Sequence, residues 1–481
     1  MRRIVLLAVF FMGILGVTYG QEVPDSLIPV LHVTTVDGEM PTCEVTQAPE
    51  GCIGVTITGN DYVPGRMVMT FKSDTLYDSQ EYEKGVSGMR IKIRGNSTGA
   101  YLAQHPYKIK LSKKDDLLLR GDKAYRHKEW VLLSMYTWNV RMSNQESNTL
   151  NIAGTVLSRL MGMEWVPSYR FVHVVINGQY QGMYYLMETV DRGNSRIDIS
   201  ETGFLIEHDV FWWKEDVYFK TRRQRAATAF TFKYPDDSNV TDSTLQAVKG
   251  YMEDFEEALY SGGDIGAYID LTSFARWILI HDLLGTDDAA GSNRFLYKND
   301  LEEGDPLSSK LMMGTLWDFD SSFRSDSWSY LHTTDWFYYP LLFGRSDFQQ
   351  AYIDLWRSVR VSLPETIESG IEEVWQAYGP LFDPSMAIHR TVYPNEGKND
   401  FRSQLDEIQQ KLLERLRLLD RLMEEMESGV QNPVESGNII SVTDLAGYKI
   451  KPADIHRLPA GIYLVTYSGS GTKKLLVRSR R

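Results

Sequence analysis

Apolar and polar residues alternate with a period of two through much of the first third of the chain. Between Ser26 and Phe71 the runs "PVLHVTT", "IGVTITG" and "RMVMTF" are separated by Asp-Gly, Gly-Asn and Pro-Gly pairs. That patterning, bounded by turn formers, predicts β-hairpins packed on one face. The stretch "IKIRGNSTGAYLAQHPYKIKL", residues 91–111, continues it with two cationic runs around a Gly-Asn-Ser-Thr turn. As a hairpin it puts Lys108 and Lys110 on one strand face and Tyr107, Ile109 and Leu111 on the other. The period then changes. In "SNTLNIAGTVLSRLMG", Leu150, Ala153, Val156, Leu157 and Leu160 make the single stripe of an amphipathic helix. Strands return in "RFVHVVINGQYQGMYYLMETV", where Asn177-Gly178 between alternating runs is a strong hairpin signal.

After "GFLIEHDV" and a basic loop at Arg222–Arg225, helices are expected at Leu245–Tyr260 and Leu271–Leu284, then strands at "RFLYKND" and "KLMMGTLWDFD". From Phe401 to Glu427, Leu405, Ile408, Leu412, Leu416, Leu419, Met423 and Met426 recur three or four apart with charges between them. This is an amphipathic helix, read as covering the core of its own domain. The segment 428–437, "SGVQNPVESG", has linker chemistry, and residues 438–481 read as a small separate β module of short strands and Gly-rich turns. The expected class is α+β, with one large unit over residues 21–427.

Residues 1–20 read as a secretory signal: Arg2-Arg3, an apolar run from Ile4 to Val17, then small residues before Gln21. The run is short for a spanning helix, so the mature chain is expected to carry no transmembrane anchor. In an exported protein the only cysteines, Cys43 and Cys52, read as a small-loop disulfide. The net charge is −13, and loss of Arg2 and Arg3 takes it to −15. Broad binding to nucleic acid or anionic membranes is thereby disfavoured, and any phosphate site must be local.

Three clusters could carry chemistry. In "TDDAAGSNRFLY", Asp288 and Asn293 sit between a helix and a strand, as do the proton-accepting Asp and metal-holding Asn of a kinase catalytic loop. Asx turns give the same pattern in ordinary loops. In "LWDFDSSF", Asp318 and Asp320 are two apart at the end of an apolar run; on a strand both would face one way and need a cation or basic partners. Magnesium suits them and Asn293. Arg94, Lys108 and Lys110 supply positive charge, and Glu188 or Glu207 is available to hold a phosphate-contacting lysine; solvated edge lysines are the bland alternative.

These motifs, in the order "IKIRGNSTGAYLAQHPYKIKL", "VINGQYQGMYYLMETV", "GFLIEHD", "FKYPDD", "TDDAAGSNRFLY", "LWDFDSSF", resemble the CotH-like atypical protein kinases. The resemblance runs from about Ser26 to Phe323 and continues more weakly to Glu427. It implies a divergent two-lobed kinase-like fold, β-rich N-lobe and helical C-lobe, with ATP and Mg2+ or Mn2+ between them. Carried over by motif, Lys108 is the first choice for the ATP phosphates and Lys110 the second. Asp288 becomes the catalytic aspartate, Asn293 its metal-binding partner, and Asp318 or Asp320 the metal aspartate. Arg141, in "WNVRMSN", matches the start of a family helix. The tail, with "LPAGIY" and a Lys-rich last strand, resembles the C-terminal sorting domain of type IX secretion, implying contact with that machinery and release at the surface or into the medium.

The implied activity is transfer of the ATP γ-phosphate to Ser or Thr of an exported or surface protein. A non-catalytic surface scaffold or adhesin is the alternative, with the aromatic run Ser327–Phe343 as its contact face. A hydrolase using Asp318 and Asp320 ranks third, because their spacing suits one metal better than an acid and base set across a sugar.

Overall fold

The computed structural model describes residues 23–136, 147–224, 227–286, 289, 292–302, 304–323, 337–397 and 400–427, and the backbone of four strands between 439 and 477. Its first part is made of strands β1 (Val30–Thr35), β2 (Glu44–Gln47), β3 (Val55–Thr58), β4 (Val63–Phe71), β5 (Asp74–Asp78) and β6 (Met89–Ile93). These are followed by helix α1 (Ser97–Tyr101), β7 (Tyr107–Asp115), β8 (His127–Ser134), α2 (Ser147–Leu160), β9 (Tyr169–Ile176) and β10 (Gln179–Glu188). Seven of the strands close on themselves in the order β1-β9-β10-β8-β7-β6-β4, with β4 returning to β1 and β5 added outside β4. Every contact around the ring is antiparallel except β1 against β9. The β-rich N-terminal part is therefore a closed barrel.

Closure follows from the alternation. Leu31 and Val33, Met67 and Met69, Met89, Ile91 and Ile93, Tyr107, Ile109 and Leu111, and Trp130 and Leu132 all point into one buried core. Each is two residues from the next on its strand, so every strand gives the interior one apolar face. Burying side chains of this size is worth about 1.5–3 kcal/mol each. The hairpin turn at Asn177-Gly178 has both residues in the left-handed region, at φ 51° and 77°. That is the geometry an Asn-Gly turn serves.

The short hairpin β2–β3 pairs Glu44 with Thr58 and Gln47 with Val55. Cys43 therefore lies at its open end, packed against the barrel core, while Cys52 sits in the turn at the far end. Four strand residues at roughly 3.3 Å each separate them, well beyond the ~7 Å that a disulfide spans. Both cysteines are free, correcting the expected bridge.

The second part contains β11 (Phe204–Asp209), β12 (Tyr218–Phe219), β13 (Ala229–Tyr234), α3 (Asp242–Ser261), α4 (Leu271–Leu284), β14 (Arg294–Lys298), β15 (Leu311–Met313), α5 (Tyr339–Phe343), α6 (Ser346–Arg360), α7 (Leu363–His389) and α8 (Phe401–Glu427). Its five strands run in the order β12-β13-β11-β14-β15. The architecture is mixed α+β, β-rich first and helical after. α8 has the expected span, with Leu405, Ile408, Leu412 and Leu416 buried. Among the described residues no helix is long and apolar enough to cross a membrane. The chain divides into two compact units, one ending at Leu416 and one beginning at Arg417. The second holds β16 (Ile439–Asp444), β17 (Lys449–Ile450), β18 (Gly461–Tyr467) and β19 (Gly471–Val477) in one antiparallel sheet.

One helix contact reaches the candidate chemistry directly. Gly154 of α2 lies under the Phe319 ring, and a Cβ there would overlap the ring carbons. Gly154→Ala should therefore destabilise the protein by about 1–3 kcal/mol through overpacking, despite alanine's higher helix propensity. At Gly250 of α3 a Cβ meets nothing within 4 Å, so Gly250→Ala should stabilise by about 0.5–1 kcal/mol. Urea unfolding of both variants checks the pair, and equal shifts would contradict the contact.

Candidate active-site cleft

Strands β6, β7 and β8 turn their polar face away from the barrel core, and that face is cationic. Arg90 lies opposite Lys110, and Lys92 opposite Lys108. Four like charges on adjacent strands repel unless something intervenes. Tyr62 takes two of them, with the Arg90 and Lys92 cations 5.1 and 4.9 Å from its ring centroid. Glu129 of β8 takes the others, at 2.5 Å from Lys108 Nζ and 2.6 Å from Lys110 Nζ. Burial pushes the Glu129 carboxyl up, but the two lysines outweigh it and hold its pKa at about 2. Burial lowers Lys92, and the neighbouring Lys108 and Lys214 charges add to that.

A cleft of ≈ 590 Å³ opens between this part of the barrel and the second sheet. Arg94, Lys108, Glu207, Asn293, Asp318 and Asp320 all line it. Six sequence candidates thus come from four separate motifs to one place. Lys110 and Glu188 do not line it. Glu188 is buried elsewhere, 2.9 Å from Arg120 Nη2 and accepting from the Ser168 amide. Glu207 is 3.1 Å from Lys233 Nζ and accepts from the Asn293 amide. Neither candidate glutamate holds Lys108; Glu129 does. Asp288 and Arg141 lie outside the described residues.

The loop carrying Asp318 and Asp320 is not the strand its apolar run predicts. β15 ends at Met313, and Asp318 adopts a left-handed φ of 63°. The two carboxylates reach the cleft through that irregular path. Asp320 is buried and accepts from the Tyr136 hydroxyl; Asp318 is half-buried. The loop is anchored by two amides, Phe319 donating to Asn151 and Phe323 to the Leu284 carbonyl. Burial lowers the Arg94 pKa, while Asp318 and Glu207 act to raise it.

Asn96 of the Gly-Asn-Ser-Thr turn also lines the cleft, and three further lining residues were not among the sequence candidates: Asp209, Lys214 and Lys233. Asp209 shares the cleft face of β11 with Glu207, two positions away. Burial first, then the Glu207 charge, raises its pKa to about 7. The Asn96 side-chain oxygen accepts from Lys214 Nζ at 2.9 Å and from the Thr56 hydroxyl at 2.7 Å. The Gly-Asn-Ser-Thr turn is thereby tied to β3 and to the segment after β11. Of the aromatic run, Phe337, Tyr338, Tyr339, Leu342 and Phe343 are buried, which is core packing; residues 327–336 lie outside the described residues.

Glu129→Gln should cost about 1–3 kcal/mol at neutral pH by leaving two lysines without a counter-charge. A depressed carboxylate pKa stabilises the fold above its unfolded value, near 4.5, and that contribution is lost as pH falls toward about 2. The wild-type advantage over the variant should therefore shrink from pH 4.5 downward. Denaturant unfolding at pH 7, 5 and 3 measures it, and a gap that does not vary with pH contradicts the pairing.

The CotH kinase protein family model matches residues 91–419, more than half of the chain, and spans the cleft on both its sides. No curated protein matches. With the cationic strands, the Asn293 loop and the Asp318–Asp320 loop all inside that match, the chain belongs to the CotH kinase protein family.

Proposed function

We propose that the protein is an exported CotH-like kinase that transfers the γ-phosphoryl group of ATP to a Ser or Thr hydroxyl of a secreted or cell-surface protein. The observation that carries this reading is the meeting of Arg94 and Lys108 with Asn293, Asp318 and Asp320 in one cleft. Cations on one wall suit a triphosphate, and oxygen donors on the other suit a hard divalent ion. Among the described residues no three His, Cys, Asp or Glu side chains gather as a metal site. The donor set of Asp318, Asp320 and Asn293 fits Mg2+ or Mn2+ that keeps phosphate and water oxygens among its ligands. When bound there, the ion would neutralise charge on the phosphates.

The chain's own groups would do the rest by positioning and charge. Lys108, held by Glu129, orients the phosphates, and Arg94 adds positive charge deeper in the cleft. Asp288 accepts the proton of the attacking hydroxyl as its oxygen bonds to the γ-phosphorus and the bond to the β-phosphate oxygen breaks. Lys110 is the reserve lysine, sharing the same carboxylate. The kinase-like two-lobe arrangement belongs to this reading, as do the leader at residues 1–20 and a sorting role for the tail.

The reading is tested by incubating the full mature chain with labelled ATP and Mg2+ or Mn2+ and an exported protein mixture. Label should pass to protein Ser or Thr, and fall at least 100-fold in Asp288→Ala, Asp318→Asn and Lys108→Met. Transfer that survives Asp288→Ala removes the catalytic assignment. Nucleotide binding without transfer to any exported protein removes the kinase and leaves a scaffold.

A further inference from the structure

One carboxyl group in the cleft has an oxygen that no hydrogen bond within the described residues uses. Asp209 is 6% exposed and lines the cleft. Its Oδ1 accepts from the Phe211 amide at 2.8 Å. Among the described residues Oδ2 has no hydrogen-bond partner, and it is not sealed inside the protein, so it opens on the cleft. A carboxyl oxygen held this far from bulk water without a partner is costly, and a ligand that donates a hydrogen bond to it removes that penalty.

The neighbours able to satisfy it are engaged elsewhere. Lys233 Nζ lies 3.1 Å from Glu207, and Lys214 Nζ donates to Asn96 and Thr56. Glu207, about 7 Å along the same face of β11, is itself filled by Lys233 and by the Asn293 amide at 3.2 Å. Glu215 also lines the cleft, but it is half-buried and water can reach it. The cleft face of β11 therefore offers a ligand one deeply buried acceptor. Ile53, Val190, Val210 and Phe211 add apolar wall to the same cleft, which suits the flat body of a nucleoside. On the barrel wall stands the opposite charge, Arg94, whose guanidinium has no ion pair or hydrogen bond among the described residues. A phosphate chain is drawn to Arg94 and Lys108 and repelled by Asp209, so the uncharged end of a nucleotide is the end that lies on β11.

Building on the kinase reading, we propose that Asp209 is a specificity residue for the nucleotide: its free oxygen accepts a hydrogen bond from a neutral donor on the nucleoside, either a ribose hydroxyl or the exocyclic amine of the base. A site built around such an acceptor rejects analogues that lack the donor, because the acceptor is then left buried and unmatched. Asp209 orients the nucleotide and takes no part in phosphoryl transfer.

Titration calorimetry of the full chain with Mg2+ at pH 8, without an acceptor protein, tests this. At that pH the carboxyl, with a pKa of about 7, is mostly ionised. Asp209→Asn keeps an oxygen for the Phe211 amide and puts a donor where the free oxygen stood. It should weaken ATP binding tenfold or more, roughly the worth of one hydrogen bond to a charged group. Inorganic tripolyphosphate should bind no more weakly, since removing a carboxylate favours a polyanion. On the wild type, 2′-deoxy-ATP, 3′-deoxy-ATP and purine riboside triphosphate identify the donor: the analogue lacking it should bind at least tenfold more weakly than ATP, and lose nothing further in Asp209→Asn. Unchanged ATP affinity in folded Asp209→Asn, or tripolyphosphate binding lost in step with ATP, overturns the assignment and leaves the kinase reading standing. No ATP binding by the wild type removes that reading and this contact together. If Asp209→Asn fails to fold, the analogues decide, and equal binding of all three and ATP overturns the contact.

Discussion

A charge in a half-buried cleft is costly unless something answers it, and the walls of this one are arranged around that constraint. Period-two alternation fills the barrel with apolar side chains, and by the same geometry it forces Arg90, Lys92, Lys108 and Lys110 together on the outside. The strands tolerate this because β8 brings Glu129 and the β3–β4 connection brings Tyr62 to the same face. Across the cleft, Lys233 stands in the same relation to Glu207. Under the proposed function, a triphosphate would meet Lys108 already partly neutralised by Glu129 and would compete with that carboxylate for it. That favours a ligand delivering several negative charges at fixed spacing over a diffuse acidic surface.

Much of this was legible in local pattern. The hairpin at Asn177-Gly178, the face division at Lys108 and Lys110, the helices α2, α3 and α4, and the long stripe of α8 all follow from periods of 2 and 3.6. Local pattern also gathered Arg94, Lys108, Glu207, Asn293, Asp318 and Asp320, whose common location in the cleft needs the whole fold. What it missed was set by register. Glu129 lies opposite Lys110 because β8 pairs with β7, whereas Glu188 and Glu207 drew notice only because they sit in conspicuous motifs. The next antiparallel strand in sequence, "HKEWVLLS", was the place to look for the partner. The disulfide failed likewise, since two cysteines close in sequence were placed at opposite ends of one hairpin.

The Asp318–Asp320 loop illustrates how a rule can fail and its consequence survive. A strand would have aimed both carboxylates one way; the structure reaches the same cleft through a left-handed Asp318 and a loop pinned to α2 and to the end of α4. The anchoring side chain, Asn151, and the glycine that admits Phe319 both lie on α2. Helix packing therefore sets where the carboxylates stand, and the loop's own conformational preferences matter less.

The barrel's seam also governs the order in which this protein can be made. β1 opens the described fold, and Val30 pairs early with Thr70 across a local connection, yet its other edge lies against His173 of β9. That edge stays open until well over a hundred further residues have been synthesised, and closing so long a loop is an entropic expense met before the β1–β9 contact rewards it. Slow final closure is the expected kinetic signature, with an apolar, unsealed sheet as the species most exposed to aggregation while the chain waits for its seventh strand.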